Sequence, residues 1–488
     1  MTTPLNIRWS HLTAGLGLIL SSLTITAQAT VSLTDSLKAI ALPLLDIETV
    51  DHTDPTFTPV YAPEGCWGAG ITDNDYVAGR MRMTLLGDTL YDSGDYAADK
   101  AGMRIKVRGN TSVLFYSQTP YKLKLSKKAD LIMRSDKKYK NKNWALLSTQ
   151  LTGNLTFTLT GMEVARLAGM PWEPEVKFVN VVLNGRYAGL YNLVETIERA
   201  DTRIQTDESG FIIENDAYWW NEGGAYFKTS RQLPPMGYTF KYPDYEDMDS
   251  ARIAHIKDYM EAAEGALWSD GDAAVWLDYP SFARWVLAHD LLGSDDAGGT
   301  NMYYVLTAMD ADGQAQGLLQ AGPLWDFGAM LRMPDDSWSQ QHINSVTYYP
   351  QLFKREKFVR EYIRQFETLR PVFLQRLQAY LATFLLTDGQ AIKESILLDN
   401  PDYADLDGQV SDMLDQLTRR INTVDSLTRQ LSATLYIHNQ QACSDNTTTV
   451  TRRVDIAGHD YTHQDLHTLP HGLYIERRAD GRVTKIKR

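Results

Sequence analysis

The chain has 488 residues, a net charge of -13, 43% hydrophobic residues and 10% aromatic residues. That apolar content is enough for a sizeable core and excludes a disordered chain, and the acidic balance excludes a general nucleic-acid binder, which needs a basic surface to displace counterions. With 2 Cys and 10 His, the sequence shows no zinc-finger type metal signature.

Residues 1–29 carry Arg8, an apolar run over 12–25 and Ala27-Gln28-Ala29. This is the pattern of a secretory signal peptide, with an uncleaved N-terminal anchor as the alternative. The apolar run is short for a membrane span and no other stretch approaches the required length. The mature chain is therefore expected to be exported, with no transmembrane span, to the periplasm, the cell surface or the medium. Export places Cys66 and Cys443 in an oxidising compartment, where they either close a disulfide clasp or remain two separate thiols. Residues 30–62, rich in Thr, Asp and Pro, read as a loosely held arm with one helical hint at 35–42.

Strand-like alternation over 76–113, with turn residues at Gly87-Asp88 and Ser93-Gly94-Asp95, predicts antiparallel sheet. In Met103-Arg-Ile-Lys-Val-Arg108 the side chains of Arg104, Lys106 and Arg108 share one face, and the strand runs into Gly109-Asn-Thr-Ser112. Tyr121-Lys-Leu-Lys-Leu125 repeats the pattern, with Lys122 and Lys124 on one side. Two cationic faces side by side describe either a solvated sheet surface or a phosphate-facing one. A helix is expected over 161–167, stopped by Pro171 and Pro174. Strands over 176–183 and 187–194 flank Asn184-Gly185, a type I′ hairpin signal. The second strand runs into Glu195-Thr-Ile-Glu198, where Glu195 is a candidate partner for Lys122 or Lys124 and Glu198 reads as a surface residue. Strands follow at 210–215 and 225–228, with Lys228 a minor phosphate candidate and Tyr218-Trp-Trp220 a packing cluster or surface lip.

From Asp249 the period changes to helical, over 251–267 and 279–292. The second helix delivers Asp295-Asp296. Asn301 to Leu306 then reads as a strand, Ala311-Asp-Gly313 as a turn, and 318–324 as the return strand into Asp326-Phe-Gly328. Asp296 stands five residues before Asn301 and Asp326 twenty-five after it. This is the order in which a phosphoryl-transfer site of the kinase type sets out a carboxylate for the acceptor hydroxyl, an amide ligand and a second carboxylate for magnesium. Long helices are expected over 353–384 and 390–435, and residues 441–488 form a tail with a small β pattern.

These segments resemble the spore-coat CotH kinase family, secreted or surface proteins with an atypical kinase-like fold. The resemblance rests on Arg108-Gly-Asn-Thr-Ser112, Pro120-Tyr-Lys-Leu-Lys-Leu125, Asn143-Trp-Ala-Leu-Leu-Ser148, Val181 to Glu195, Asp296 with Asn301-Met-Tyr-Tyr304, and Leu324-Trp-Asp-Phe-Gly328. It implies an α+β protein of that fold over residues 63–440, with an N-terminal, mainly antiparallel β lobe and a C-terminal, mainly helical lobe. It further implies Asp296 as the catalytic aspartate, and Asn301 and Asp326 as ligands of Mg2+ or Mn2+. Lys122, Lys124, Arg108 and Glu195 would then hold ATP. The implied activity is transfer of the γ-phosphoryl group to Ser or Thr hydroxyls of surface or coat-like proteins. A non-catalytic surface protein and a nucleotidyl transferase on the same scaffold are the alternatives. One departure stands out, since Asn154-Leu-Thr-Phe-Thr occupies the place of an arginine-containing helix start. The tail is similar to the C-terminal sorting tails of proteins secreted by Bacteroidetes-type bacteria, with a plain terminal hairpin as the alternative.

Overall fold

The computed structural model describes Leu33 and residues 35–488, apart from 150–153, 233–234, 297–299, 339–346, 400–404, 449 and 479–482. The side chains of 399 and 436–448 also lie outside the description. The signal segment over 1–29 and the side chain of Cys443 therefore fall outside it, and Cys66 has no disulfide partner among the described residues.

The N-terminal part is built from strands β1 (Leu44–Thr49), β2 (Thr58–Tyr61), β3 (Ala69–Thr72), β4 (Val77–Leu85), β5 (Asp88–Asp92), β6 (Met103–Val107), β7 (Tyr121–Ala129), β8 (Asn141–Ser148), β9 (Val176–Leu183) and β10 (Arg186–Glu195). Eight of them form one sheet in the order β1-β9-β10-β8-β7-β6-β4-β5, and β1 also pairs with β4, so the sheet closes on itself as a barrel. All of its pairings are antiparallel except β1 with β9. Alternation in the strands sends Met103, Ile105, Val107, Leu123, Leu125, Trp144 and Val181 into the barrel, where all are almost fully buried.

One expectation is overturned here. The segment read as a loosely held arm supplies β1, which is paired on both edges, and Leu44, Leu45 and Ile47 on it are at most 2% exposed. Thr, Asp and Pro dominate its composition, yet the six residues that matter are Leu-Leu-Asp-Ile-Glu-Thr, an alternating strand. The turn at Asn184-Gly185 forms as expected, with φ of 52° and 74° at the two residues.

A five-stranded sheet follows, in the order β12-β13-β11-β14-β15, from β11 (Phe211–Asp216), β12 (Tyr226–Phe227), β13 (Gly237–Tyr242), β14 (Met302–Leu306) and β15 (Gln320–Ala321). The main helices are α1 (Thr111–Phe115), α2 (Phe157–Leu167), α3 (Ser250–Leu267), α4 (Tyr279–Leu292), α5 (Glu356–Leu369), α6 (Phe373–Phe384), α7 (Gln390–Asp399) and α8 (Leu406–Thr448), with further helical turns at 35–39 and Tyr349–Leu352. A five-residue π-helical turn, Leu385–Gly389, joins α6 to α7. The largest core cluster joins α2, α4 and α5 with the outer face of the barrel through Phe178, Val182, Leu190 and Val194. The fold is thus α+β, with β structure first and helices dominating the C-terminal half.

The chain ends in a three-stranded sheet, β16 (Val450–Asp455), β17 (Leu473–Arg478) and β18 (Val483–Lys487). It carries a buried ion pair of 2.7 Å between Arg453 and Glu476. Among the described residues no helix is long and apolar enough to cross a membrane.

Candidate active site

Strand register creates the cationic wall. Lys106 stands directly opposite Lys122, and Arg104 opposite Lys124, on the outer face of the barrel. Like charges in cross-strand pairs repel, so this face favours an anion beside it. Lys106 and Arg104 also lie over the ring of Tyr76, at 5.2 and 5.6 Å. Burial lowers the pKa of Lys122, and neighbouring Lys106, Arg108 and Lys241 lower it further, against an opposing effect from Glu198. Arg108 lies 5.5 Å over the ring of Trp325 and close enough to Asp326, Tyr303 and Glu214 to be influenced by each.

The opposite wall comes from two stitched loops. Helix α4 starts with Pro280 in its first turn and ends at Gly293, whose φ of 58° closes the helix and turns the chain to Ser294, Asp295 and Asp296. The loop after Asp326-Phe-Gly328 returns to that cap: Leu331 N donates to Leu292 O at 2.9 Å and Arg332 N to Gly293 O at 3.0 Å. From α8, the buried Arg420 donates to Asp290 O, Pro334 O and Ser337 O, clamping both loops. Phe327 seats against Gly161 of α2, where a Cβ would lie 2.1 Å from the ring. Leu324 N donates to the buried Glu173 carboxylate at 2.9 Å. Asn301 and Asp326 both hold positive φ, 62° and 64°, a strained backbone that persists only when the surroundings enforce it.

The two walls enclose a cleft of about 920 Å³ lined by Lys106, Arg108, Lys122 and Lys241 and by Asp296, Asn301 and Asp326, among others. Asp296 is still reached by solvent, but surrounding protein raises its pKa to about 6, with the Asp326 carboxylate adding to the effect and Arg332 opposing it. Two carboxylates close enough to repel are where a divalent cation is stabilising. Asn301 Nδ2 donates to Thr300 Oγ1 at 3.0 Å, which leaves the amide oxygen as the ligand atom. No group of three or more His, Cys, Asp or Glu side chains able to hold a metal is present among the described residues. Magnesium fits the smaller set nonetheless, because it binds through one or two carboxylates and takes its other ligands from water and phosphate.

The expected residues divide. Arg108, Lys122, Asp296, Asn301 and Asp326 share the cleft, whereas Lys124 and Glu195 are not among its lining residues. Parity of register explains Glu195. Lys122 pairs with Ala145, which pairs with Val194, so these three share the outer face. Glu195 pairs with Trp144, which pairs with Leu123, and so it lies on the barrel-lining side. There its carboxylate meets Arg134 at 2.8 Å and accepts from Glu175 N at 3.1 Å, in a separate cavity of about 570 Å³. No pair forms between Glu195 and either lysine. The carboxylate that acts on Lys122 is Glu198, held by Asn143 Nδ2 at 2.7 Å and Arg203 Nη1 at 2.6 Å. Lys228 lies 3.8 Å over the Trp219 ring rather than in the cleft, and Tyr218 of the aromatic run lines the cleft as a lip.

Three further residues escape a reading of the sequence. Glu214 and Asp216 project from one face of β11 into the cleft, and Lys241 of β13 pairs with Glu214 at 3.0 Å. Glu214 also accepts from Asn301 N at 2.8 Å and so fixes the start of β14. Burial and Glu214 push the Asp216 carboxyl up to about 7, opposed by Lys241. Burial would lower Lys241, but Glu214, Glu222 and Asp216 outweigh it and hold the ammonium above its ordinary value. The available signal was two same-face acids, Glu214 and Asp216, at the end of a strand that begins Phe-Ile-Ile. At the departure in 154–158, Asn154 accepts from the N of Thr156, the residue that precedes α2, at 2.9 Å and donates to Gln409 O of α8 at 3.1 Å, so the approach to the helix is anchored without an arginine.

The fold and the cleft define an α+β protein whose cationic barrel strands face a paired-carboxylate loop system. A family model described as CotH kinase protein matches residues 105–393, more than half of the chain, and the chain belongs to that family. No curated protein matches it.

Proposed function

We propose that the protein is an exported kinase that transfers the γ-phosphoryl group of ATP to Ser or Thr hydroxyls of surface or coat-like proteins. The observation that carries this reading is the facing of Lys106, Arg108 and Lys122 with Asp296, Asn301 and Asp326 across one cleft. Phosphoryl transfer asks little covalent chemistry of the protein and much positioning and charge stabilisation. Lys122 and Arg108 hold the phosphates from the barrel side, and Lys241 adds a third cation. Asp326 and the Asn301 amide oxygen are the ligands for magnesium, which when bound neutralises charge on the transferred group. Asp296 accepts the proton of the acceptor hydroxyl as its oxygen bonds to phosphorus and ADP leaves. Family membership supports a kinase-like activity.

The test is transfer from γ-labelled ATP to mixed surface proteins, with the product weighed to separate a phosphoryl from a nucleotidyl addition. Asp296→Ala and Asp326→Ala should each lower the rate about a thousandfold, roughly 4 kcal/mol of transition-state stabilisation. Undiminished transfer in both variants overturns the assignment.

A further inference from the structure

We infer that the β2–β3 hairpin is a docking wall for the acceptor polypeptide, with Trp67 packing on an apolar side chain beside the phosphorylated hydroxyl. This rests on the kinase reading of the cleft. The hairpin pairs only with itself and precedes the family-matched segment, yet Trp67, Gly68 and Ile71 line the cleft.

The hairpin is held as a fixed wall. Asn221 Nδ2 donates to Ile71 O at 2.8 Å, Trp220 Nε1 to Trp67 O at 3.1 Å, and Asn74 Nδ2 to Val107 O at 2.9 Å. Gly68 has a φ of 87° and approaches so closely that a Cβ there would lie 2.7 Å from the Tyr218 ring. These bonds clamp the backbone at Trp67 while its side chain stays 45% exposed. Beside it, α1 packs on β3 and ends in Phe115 and Tyr116, 71% and 44% exposed, and Tyr61 on β2 is 76% exposed. Four solvated aromatic side chains on two touching elements forgo hydrophobic stabilisation that a partner would restore.

Two features select a polypeptide as that partner. Trp67 and Tyr116 line the cleft, while the exposed Phe115 and Tyr61 on the same two elements lie outside it, so the solvated aromatic side chains of these elements are more than one nucleobase in the cleft would cover. The lip residues Trp67, Tyr116, Tyr218 and Asn221 are uncharged and the adjoining Glu222 is an acid, which disfavours a second phosphate there and leaves the aromatic part of the lip to an apolar side chain.

A positional library of Ser-centred peptides, with magnesium and γ-labelled ATP, tests the inference on the mature chain. The wild type should select an aromatic or aliphatic residue flanking the serine. Trp67→Ala should flatten that selection and raise the acceptor KM about tenfold, with the ATP KM unchanged, and Trp67→Phe should restore most of it. Unaltered selection in Trp67→Ala overturns the inference, as does a raised ATP KM, which would give the indole to the nucleotide. If the wild type phosphorylates no peptide, the kinase reading fails separately. The same library, arrayed and probed for direct binding, then decides: Trp67-dependent retention of apolar peptides upholds the wall, and its absence overturns it.

Discussion

Gly161→Ala sets two effects of opposite sign against each other. Alanine in the middle of α2 should stabilise the helix by about 1 kcal/mol, because glycine loses more backbone freedom on folding. The new methyl, however, would lie 2.1, 2.3 and 2.5 Å from three atoms of the Phe327 ring, which is 3% exposed and has little room to retreat. Overpacking of this kind costs about 1–3 kcal/mol, so the net change should be a loss of about 1 kcal/mol, read as a lower urea midpoint at unchanged slope. The functional loss should be larger. Phe327 follows Asp326 directly, and a shift of about 1 Å in a reacting group costs on the order of a hundredfold in rate. Phe327→Leu in the Gly161→Ala background should recover part of the stability, as expected for residues in contact. A Gly161→Ala protein that is more stable than wild type and transfers phosphate at the wild-type rate would show that this ring does not set the position of Asp326.

Glu195→Gln should lower stability by about 2 kcal/mol, since it weakens one charge-assisted contact to Arg134, which keeps Asp130, and one to the buried Arg203, which keeps Glu198, and should not change the ATP KM. A raised ATP KM at unaltered stability would instead place Glu195 with the nucleotide. Burial holds the His289 pKa at about 3, below the ordinary value of 6.5, so the folded state favours the neutral ring. The resulting stability is fully present above about pH 6.5 and is lost as pH falls toward 3, amounting to about 2 kcal/mol between pH 7 and pH 5. His289→Leu should remove that part of the pH dependence, and an identical slope in urea unfolding would contradict it.

What could be read from the residues was what repeats locally. The faces of β6 and β7 follow from alternation, and the hairpin between β9 and β10 from Asn184-Gly185, whose two residues both take positive φ. The order of Asp296, Asn301 and Asp326 placed them in one cleft because an antiparallel pair, β14 with β15, joins the two loops. What escaped was set by register across distant strands. Glu195 and Lys122 differ by one step of parity through β8, and no feature of either segment alone announces which face Glu195 takes. Glu214 and Asp216 sit on β11, whose partner β14 comes about ninety residues later, and Lys241 sits on β13, the other neighbour of β11, so their shared cleft becomes visible only once the sheet is assembled. The short strand at 44–49 was masked by the turn-rich composition around it.

The strand Leu44–Thr49 is the stave that completes the barrel, and its neighbours on the two sides are Val77–Leu85 and Val176–Leu183. The first partner leaves the ribosome soon after it, but the second follows more than a hundred residues later, so the ring stays open for most of synthesis and an unpaired edge is exposed meanwhile. A polypeptide trimmed to the family-matched bounds would lack this stave and Val77–Leu85 altogether. It would keep two raw sheet margins, and self-association rather than a soluble catalytic core is its expected fate.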